Sequence, residues 1–334
     1  MTDGPGPGAG PVFIVGLPRS GSTLLSRWIN EGGDVVVFND LYYLQAVFGE
    51  GAERGPLDAA TAERLLQALL EVIRRYADND DALVAKLPLA TADIDAIEQG
   101  VRKTSRDRPL DWAALMDETL GRVARALGAT RWADKTPQNF LHVDRLRRAF
   151  PAARFLYLVR DPRRVLASYK HVDGRGHDRR RYHVVPYALY WRAMARSYLA
   201  QRAQPHVAVV RYEHLLENPA PAAAELGMFL GAAVPAIDLA TVGTNSSFRR
   251  DEQAGITPTE QWLCERICGP EMSALGYEPD GARPRFGDAG GLVVGSARFL
   301  TFQLRQALRS RDRRRRMAAV GKRALPVRSS RASA

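Results

Sequence analysis

The segment Gly16 to Leu25 reads GLPRSGSTLL. Gly16 and Gly21, the hydroxyls of Ser20, Ser22 and Thr23, and one cation, Arg19, are packed between the apolar run VFIV (12–15) and a helical spacing of Thr23, Leu24, Leu25, Trp28 and Ile29. A loop from a strand's carboxyl end to a helix's amino end aims unpaired backbone N–H groups at one spot, and the helix dipole adds about half a positive charge there. Gly21 allows close approach of the backbone to an anion, and the hydroxyls add donors. An ordinary capped strand–helix turn has the same ingredients, so the loop alone leaves both readings open. A triphosphate-binding loop ends in Lys-Ser/Thr after its last glycine, for the phosphates and for magnesium. Here Ser22 follows Gly21 and the cation precedes it, so neither a kinase nor a nucleotide triphosphatase fits well and no metal is expected.

A second segment, RFLYLVRDPRRVLASY (154–169), predicts a buried strand ending at Arg160 and a helix opened by Pro162. Arg160 then stands at a strand's carboxyl end, where open α/β sheets bind ligands. With Ser168 eight residues on, it can fix a second phosphate. A surface arginine followed by a helix serine is the plainer alternative.

The two segments in this order resemble the PAPS-dependent sulfotransferases, and most of all the bacterial group related to tyrosylprotein sulfotransferases. WADKTPQNF (132–140), RYEHLLENP (211–219) and LGYEP (275–279) share in the resemblance, which spans about residues 11–280. It implies a P-loop-kinase-like fold and PAPS (3′-phosphoadenosine-5′-phosphosulfate) as cosubstrate. It also implies roles. Arg19, Ser20, Gly21, Ser22 and Thr23 would hold the 5′-phosphosulfate, and Arg160 and Ser168 the 3′-phosphate. Tyr212 would donate its hydroxyl to the nucleotide and Ser247 would lie near the reacting end. Lys135 would polarise the sulfonate. Asp40 falls where the tyrosylprotein enzymes carry a catalytic glutamate. The chain departs from the cytosolic aryl and steroid enzymes, which use a loop lysine and a histidine base. None of its six histidines falls in that stretch, and Gln261 replaces the family's lysine before Trp262.

Sulfonate transfer needs a base for the acceptor proton, a cation at the leaving oxygen and a second cation at the sulfonate oxygens. Asp40, Arg19 and Lys135 suit those tasks; a guanidinium stays charged and its fork matches an acid anhydride. Each has a plainer reading. Asp40 can cap a helix starting in FNDLYYL, Lys135 can pair with Asp134 at the surface, and Tyr212 can be a core tyrosine. A scaffold that binds nucleotide without turnover is the remaining functional alternative.

The elements that must position these groups are an alternation of strands and helices. Apolar runs predict strands at 12–15, 83–86, 154–159 and 206–210. Helical spacing predicts helices near 22–31, 61–77, 111–127, 138–149, 162–171, 186–203, 219–230 and 260–274. The alternation implies an α/β fold with a central parallel sheet flanked by helices. Polar 172–184 predicts an exposed loop. With 334 residues, 46% of them apolar, the chain can bury a sizeable core. No run is long and apolar enough to span a membrane. Cys264 and Cys268 lie on one helical face, with no disulfide or metal use indicated, and a reducing cytoplasm is the simplest setting.

The net charge of +11 is unevenly placed: from Gly281 onward there are fourteen Lys/Arg and two Asp/Glu, so the rest is 11 − 12 = −1. The expected organisation is a flexible tail (1–10), a sulfotransferase-like domain (11–280), and a linker (281–295) leading into a basic helical C-terminal extension to 334. The acceptor is expected to be a small molecule, glycan or peptide. The extension can meet an acidic membrane surface or an acidic partner, or be simply solvated, and no specific nucleic-acid binding is expected.

Overall fold

The computed structural model describes residues 10–78, 88–171, 182–236 and 255–309. Five strands form one sheet in the order β2-β3-β1-β4-β5. They are β1 (Val12–Gly16), β2 (Val35–Asn39), β3 (Arg131–Lys135), β4 (Arg154–Val159) and β5 (Val207–Arg211). β1 pairs in parallel with β3 and β4, and β2 pairs in parallel with β3. β1, β2 and β3 are buried along their whole length. Burial on both faces accounts for the unbroken apolar runs of β1 and β2. The chain leaves β1 toward β3 and β2 on one side, then crosses to β4 and β5 on the other. The carboxyl end of β1 is therefore a switch point, where folds of this kind bind ligands.

The chain divides into two compact units: Met1–Leu158 with Ala203–Val242, and Val159–Arg202 with Gly243–Ala334. In the first, α1 (Ser22–Glu31), α9 (Tyr212–Glu217) and α10 (Pro219–Leu230) contribute Leu25, Trp28, Ile29, Leu215, Leu226 and Leu230 to a core with Val12, Ile14, Val35, Val37, Leu156 and Leu158. A second apolar cluster is aromatic. Phe13 stacks on Phe155 at 5.3 Å, and Phe13, Trp132 and Phe150 meet one another at 5.3–5.8 Å. The unit also contains α2 (Tyr43–Glu50), α3 (Ala59–Ala77), α4 (Thr91–Asp107), α5 (Trp112–Ala126), a 3₁₀ turn (Pro137–His142) and α6 (Val143–Ala149). Asp58 and Asp111 cap α3 and α5 by accepting from the amides of Thr61 and Ala114.

The second unit contains α7 (Pro162–Lys170), α8 (Val184–Leu199), α11 (Pro258–Ala274) and α12 (Ala289–Arg309). Trp191 and Met194 of α8, with Cys264, Cys268 and Met272 of α11, have no exposed surface. Both thiols are free.

The anticipated strands at 12–15, 154–159 and 206–210 are β1, β4 and β5. β2 and β3 were not anticipated, and LVAK (83–86) lies outside the described residues. Of the segment 172–184 expected as an exposed loop, 172–181 lies outside them too. Helix α12 starts at Ala289, inside the stretch that Gly and Pro marked as linker, because its glycines at 290, 291 and 295 are accommodated within the helix.

Candidate active site

The loop after β1 turns sharply. The Ser20 amide donates to the Leu17 carbonyl at 3.3 Å, and α1 opens at Ser22 behind Gly21. Gly21 has φ 90°, in the left-handed region, and no side chain caps α1. A Cβ on Gly21 would overlap the ring of Tyr212, the first residue of α9 just past β5. The Tyr212 ring thus lies against the loop at Gly21, and it also packs, partly buried, against the core around Leu25, Trp28 and Leu215. Ser20 is wholly buried, and its hydroxyl has no hydrogen-bond partner among the described residues. A buried unsatisfied hydroxyl costs about 1–3 kcal/mol.

The neighbouring strands β2 and β3 end in a second cluster. Asn39 and Lys135 are register partners, so the chain delivers Asp40 and Lys135 to the same end of the sheet. The Asp40 amide donates to the Lys135 carbonyl at 2.9 Å, and the Lys135 ammonium lies 3.3 Å from Asp40 Oδ2. The lysine side chain is 4% exposed and the carboxylate 44%. The cation is therefore desolvated and aimed from below at a carboxylate that meets solvent. Asp40 caps no helix: α2 starts at Tyr43, and no side chain caps it. Lys135 does not pair with Asp134 at the surface either.

Asp134 has its own partners. Its Oδ1 accepts from Thr136 Oγ1 at 2.6 Å and its Oδ2 from Asn139 Nδ2 at 2.7 Å. Burial, aided by the Asp40 charge, pushes its carboxyl up to about 7, against the lowering effect of those two bonds. Thr136 Oγ1 also accepts from the Tyr42 amide at 3.4 Å. On the outer side of β2, the Tyr76 hydroxyl from α3 accepts from the Asn39 amide at 2.8 Å and donates to the Asn39 carbonyl at 2.7 Å. Desolvation drives its phenol pKa upward.

Among the described residues, the non-glycine positions with left-handed backbone are Arg19 (φ 75°), Asp40 (φ 55°) and Tyr42 (φ 50°). All three lie just beyond the carboxyl ends of β1 and β2. Such strain costs about 1–3 kcal/mol a residue and persists where surrounding contacts enforce it, typically at functional sites.

A model of the sulfotransferase family matches residues 11–236. The chain belongs to the sulfotransferase family. The match covers the loop, Asp40, the β3 cluster, Arg160, Ser168 and Tyr212. The sulfotransferase domain of the Synechococcus PCC 7002 olefin synthase is 19% identical over 80% of this chain and 94% of its own, with a TM-score of 0.51. A sulfotransferase domain from the curacin biosynthetic pathway is 18% identical over 80% and 98%, at 0.45. Sulfotransferase STF9 from Mycobacterium avium is 16% identical over 82% and 79%, at 0.44. No curated protein matches the sequence. The parallel five-stranded sheet flanked by helices is the P-loop NTPase-like α/β fold of this family.

In the second unit of this sulfotransferase, Arg160 follows β4 directly and is 7% exposed, and its carbonyl accepts from Trp191 Nε1 at 2.9 Å. Asp161 caps α7 by accepting from the Arg163 amide at 2.8 Å, and Pro162 occupies the first turn. Ser168 is buried on the same helix. Ser247 lies outside the described residues. Sequence reasoning missed Tyr76, Asp134, Thr136 and Asn139. The last three sit inside WADKTPQNF, where an acid and a base flanked by Trp, Ala and Pro already mark charges with little access to water. Tyr76 leaves no such trace, since its partner is backbone.

Proposed function

We propose that this sulfotransferase moves a sulfonate from PAPS to a hydroxyl of a small-molecule, glycan or peptide acceptor. The observation that carries the reading is the half-exposed Asp40 carboxylate held 3.3 Å from the buried Lys135 ammonium. It stands at the end of β2, one strand beyond the strand that neighbours β1 and its loop. The loop chemistry fits a phosphosulfate: the buried Ser20 hydroxyl lacks a partner among the described residues, and the bare backbone of Gly21 sits at an uncapped helix start. When bound, PAPS supplies an activated sulfonate on an anhydride oxygen.

Arg19, Ser20, Gly21, Ser22 and Thr23 would hold its 5′ end, Arg160 and Ser168 its 3′-phosphate, Tyr212 the nucleotide, and Ser247 would stand near the reacting end. Asp40 orients the acceptor hydroxyl and takes its proton, a role worth about 10²–10⁴-fold. Lys135 and Arg19 supply fixed positive charge where negative charge grows, and burial of Lys135 strengthens its effect. Arginine and lysine do here what magnesium and a Walker lysine do in phosphoryl transfer.

Calorimetry with 3′-phosphoadenosine-5′-phosphate against ATP, with and without magnesium, tests the reading. Preference for the bisphosphate without metal is expected. Asp40→Asn should keep that affinity while turnover of PAPS with a phenol acceptor falls by about 10²-fold or more. Equal affinity for the two nucleotides, or a magnesium requirement, would sink the proposal.

A further inference from the structure

The large apolar side chains that stand exposed among the described residues are Tyr42, Met228, Phe286, Val293, Val294 and Leu300. Four of these six lie between 286 and 300, on or just before α12. The helix is anchored by its other side. Ser296 Oγ is 2.7 Å from His183 Nε2, the Phe299 ring lies 5.8 Å from the His183 ring, and Leu292 and Gly295 are part-buried beside them. At about 100° per residue, positions 293, 297 and 300 form one exposed stripe: Val, Ala, Leu. Arg298 is exposed as well, one turn beyond the exposed Val294.

We propose that this face of α12 docks on an anionic lipid surface. A helix that serves only its own unit turns aliphatic side chains inward and charges outward. Here the outward arc carries both, and an interfacial helix needs both: aliphatics at the acyl boundary and cations at headgroup phosphates. Each arginine near an anionic membrane contributes about 1 kcal/mol. The chain from Gly281 onward has fourteen cationic residues to two acidic ones. A second copy of the chain would bring that density against itself, and like charges repel. Nucleic acid would satisfy the arginines but leave the valines and leucine without apolar contact. Among the described residues no helix is long and apolar enough to cross a membrane, so the helix lies on the surface.

The test is co-sedimentation of the full chain with phosphatidylcholine vesicles and with vesicles containing about one-third phosphatidylserine; it needs no turnover, so it stands apart from the sulfonate-transfer reading. Partitioning is expected only onto the anionic vesicles, weakening as salt rises. Val293→Ser with Leu300→Ser should reduce it about tenfold or more, since two buried aliphatic groups are lost. Both positions are exposed, so folding should survive, and an unchanged circular dichroism melt checks this. Arg298→Glu should reduce it too. No binding, equal binding to neutral vesicles, or binding untouched by the serine substitutions would overturn the proposal. Tight binding to an RNA oligomer without vesicle partitioning would assign the face to nucleic acid instead.

Discussion

At Gly21 two constraints coincide. Its φ of 90° disfavours any side chain, and a Cβ would collide with the Tyr212 ring. Gly33 offers the control, because it has φ 78° but open space around its missing Cβ. Gly33→Ala should therefore cost only the backbone strain, about 1 kcal/mol of stability. Gly21→Ala must in addition push the tyrosine off the loop. Calorimetric affinity for 3′-phosphoadenosine-5′-phosphate should fall at least about tenfold in Gly21→Ala and stay unchanged in Gly33→Ala. Equal affinity in both variants would remove the loop from the nucleotide site. Arg19, Asp40 and Tyr42 are the converse case, ordinary side chains on left-handed backbone just beyond the ends of β1 and β2.

The strand β2 is an edge strand, and its free edge needs a partner. Tyr76 supplies one: a single hydroxyl closes both polar groups of Asn39, as a further strand would. Tyr76→Phe keeps the ring and removes both bonds. It should lower the unfolding free energy by about 1–3 kcal/mol in urea titrations. It should also loosen the turn that presents Asp40, so turnover falls with nucleotide affinity intact. A variant as stable as the parent would mean that water replaces the hydroxyl without loss. The elements themselves were unevenly legible. Helices α1, α5, α7 and α10 could be read closely because their apolar spacing repeats along the helix, and Asp111, Pro162 and Pro219 mark the starts of the last three. β4 could be read because it is apolar throughout. β3 could not: RWADK reads as a polar surface segment, yet it is fully buried, with Asp134 and Lys135 spending their charges on Thr136, Asn139 and Asp40. The pairing of Asp40 with Lys135 depends on parallel register between segments 95 residues apart, which no local pattern encodes.

Both compact units combine an apolar core with ion pairs, but the second sets several of its carboxylates deeper, and this governs how it should open. The first is knit by apolar and aromatic contacts across its sheet. The second packs Trp191, Met194, Cys268 and Met272 and adds ion pairs on carboxylates largely shielded from water. Lys170 meets Glu260 at 2.6 Å, Arg163 meets Asp161 and Asp280, and Glu271 accepts from Arg196 at 2.5 Å and Arg192 at 3.3 Å. Glu271 is 7% exposed, while the two arginines keep 20% and 28%. Glu271→Gln leaves both cations facing a neutral amide in a partly dry site. Hydrogen bonds to charged groups contribute about 1.5–3 kcal/mol, and breaking a buried pair from one side costs up to 3–5. Partial solvation of the arginines puts the expected loss at about 2–3 kcal/mol. Native-state hydrogen exchange should register it as faster opening of α8 and α11, with β1 and β3 protected as before. An equal loss of protection in every element would mean that the chain opens as one cooperative body, and the separate accounting for its two halves would fail.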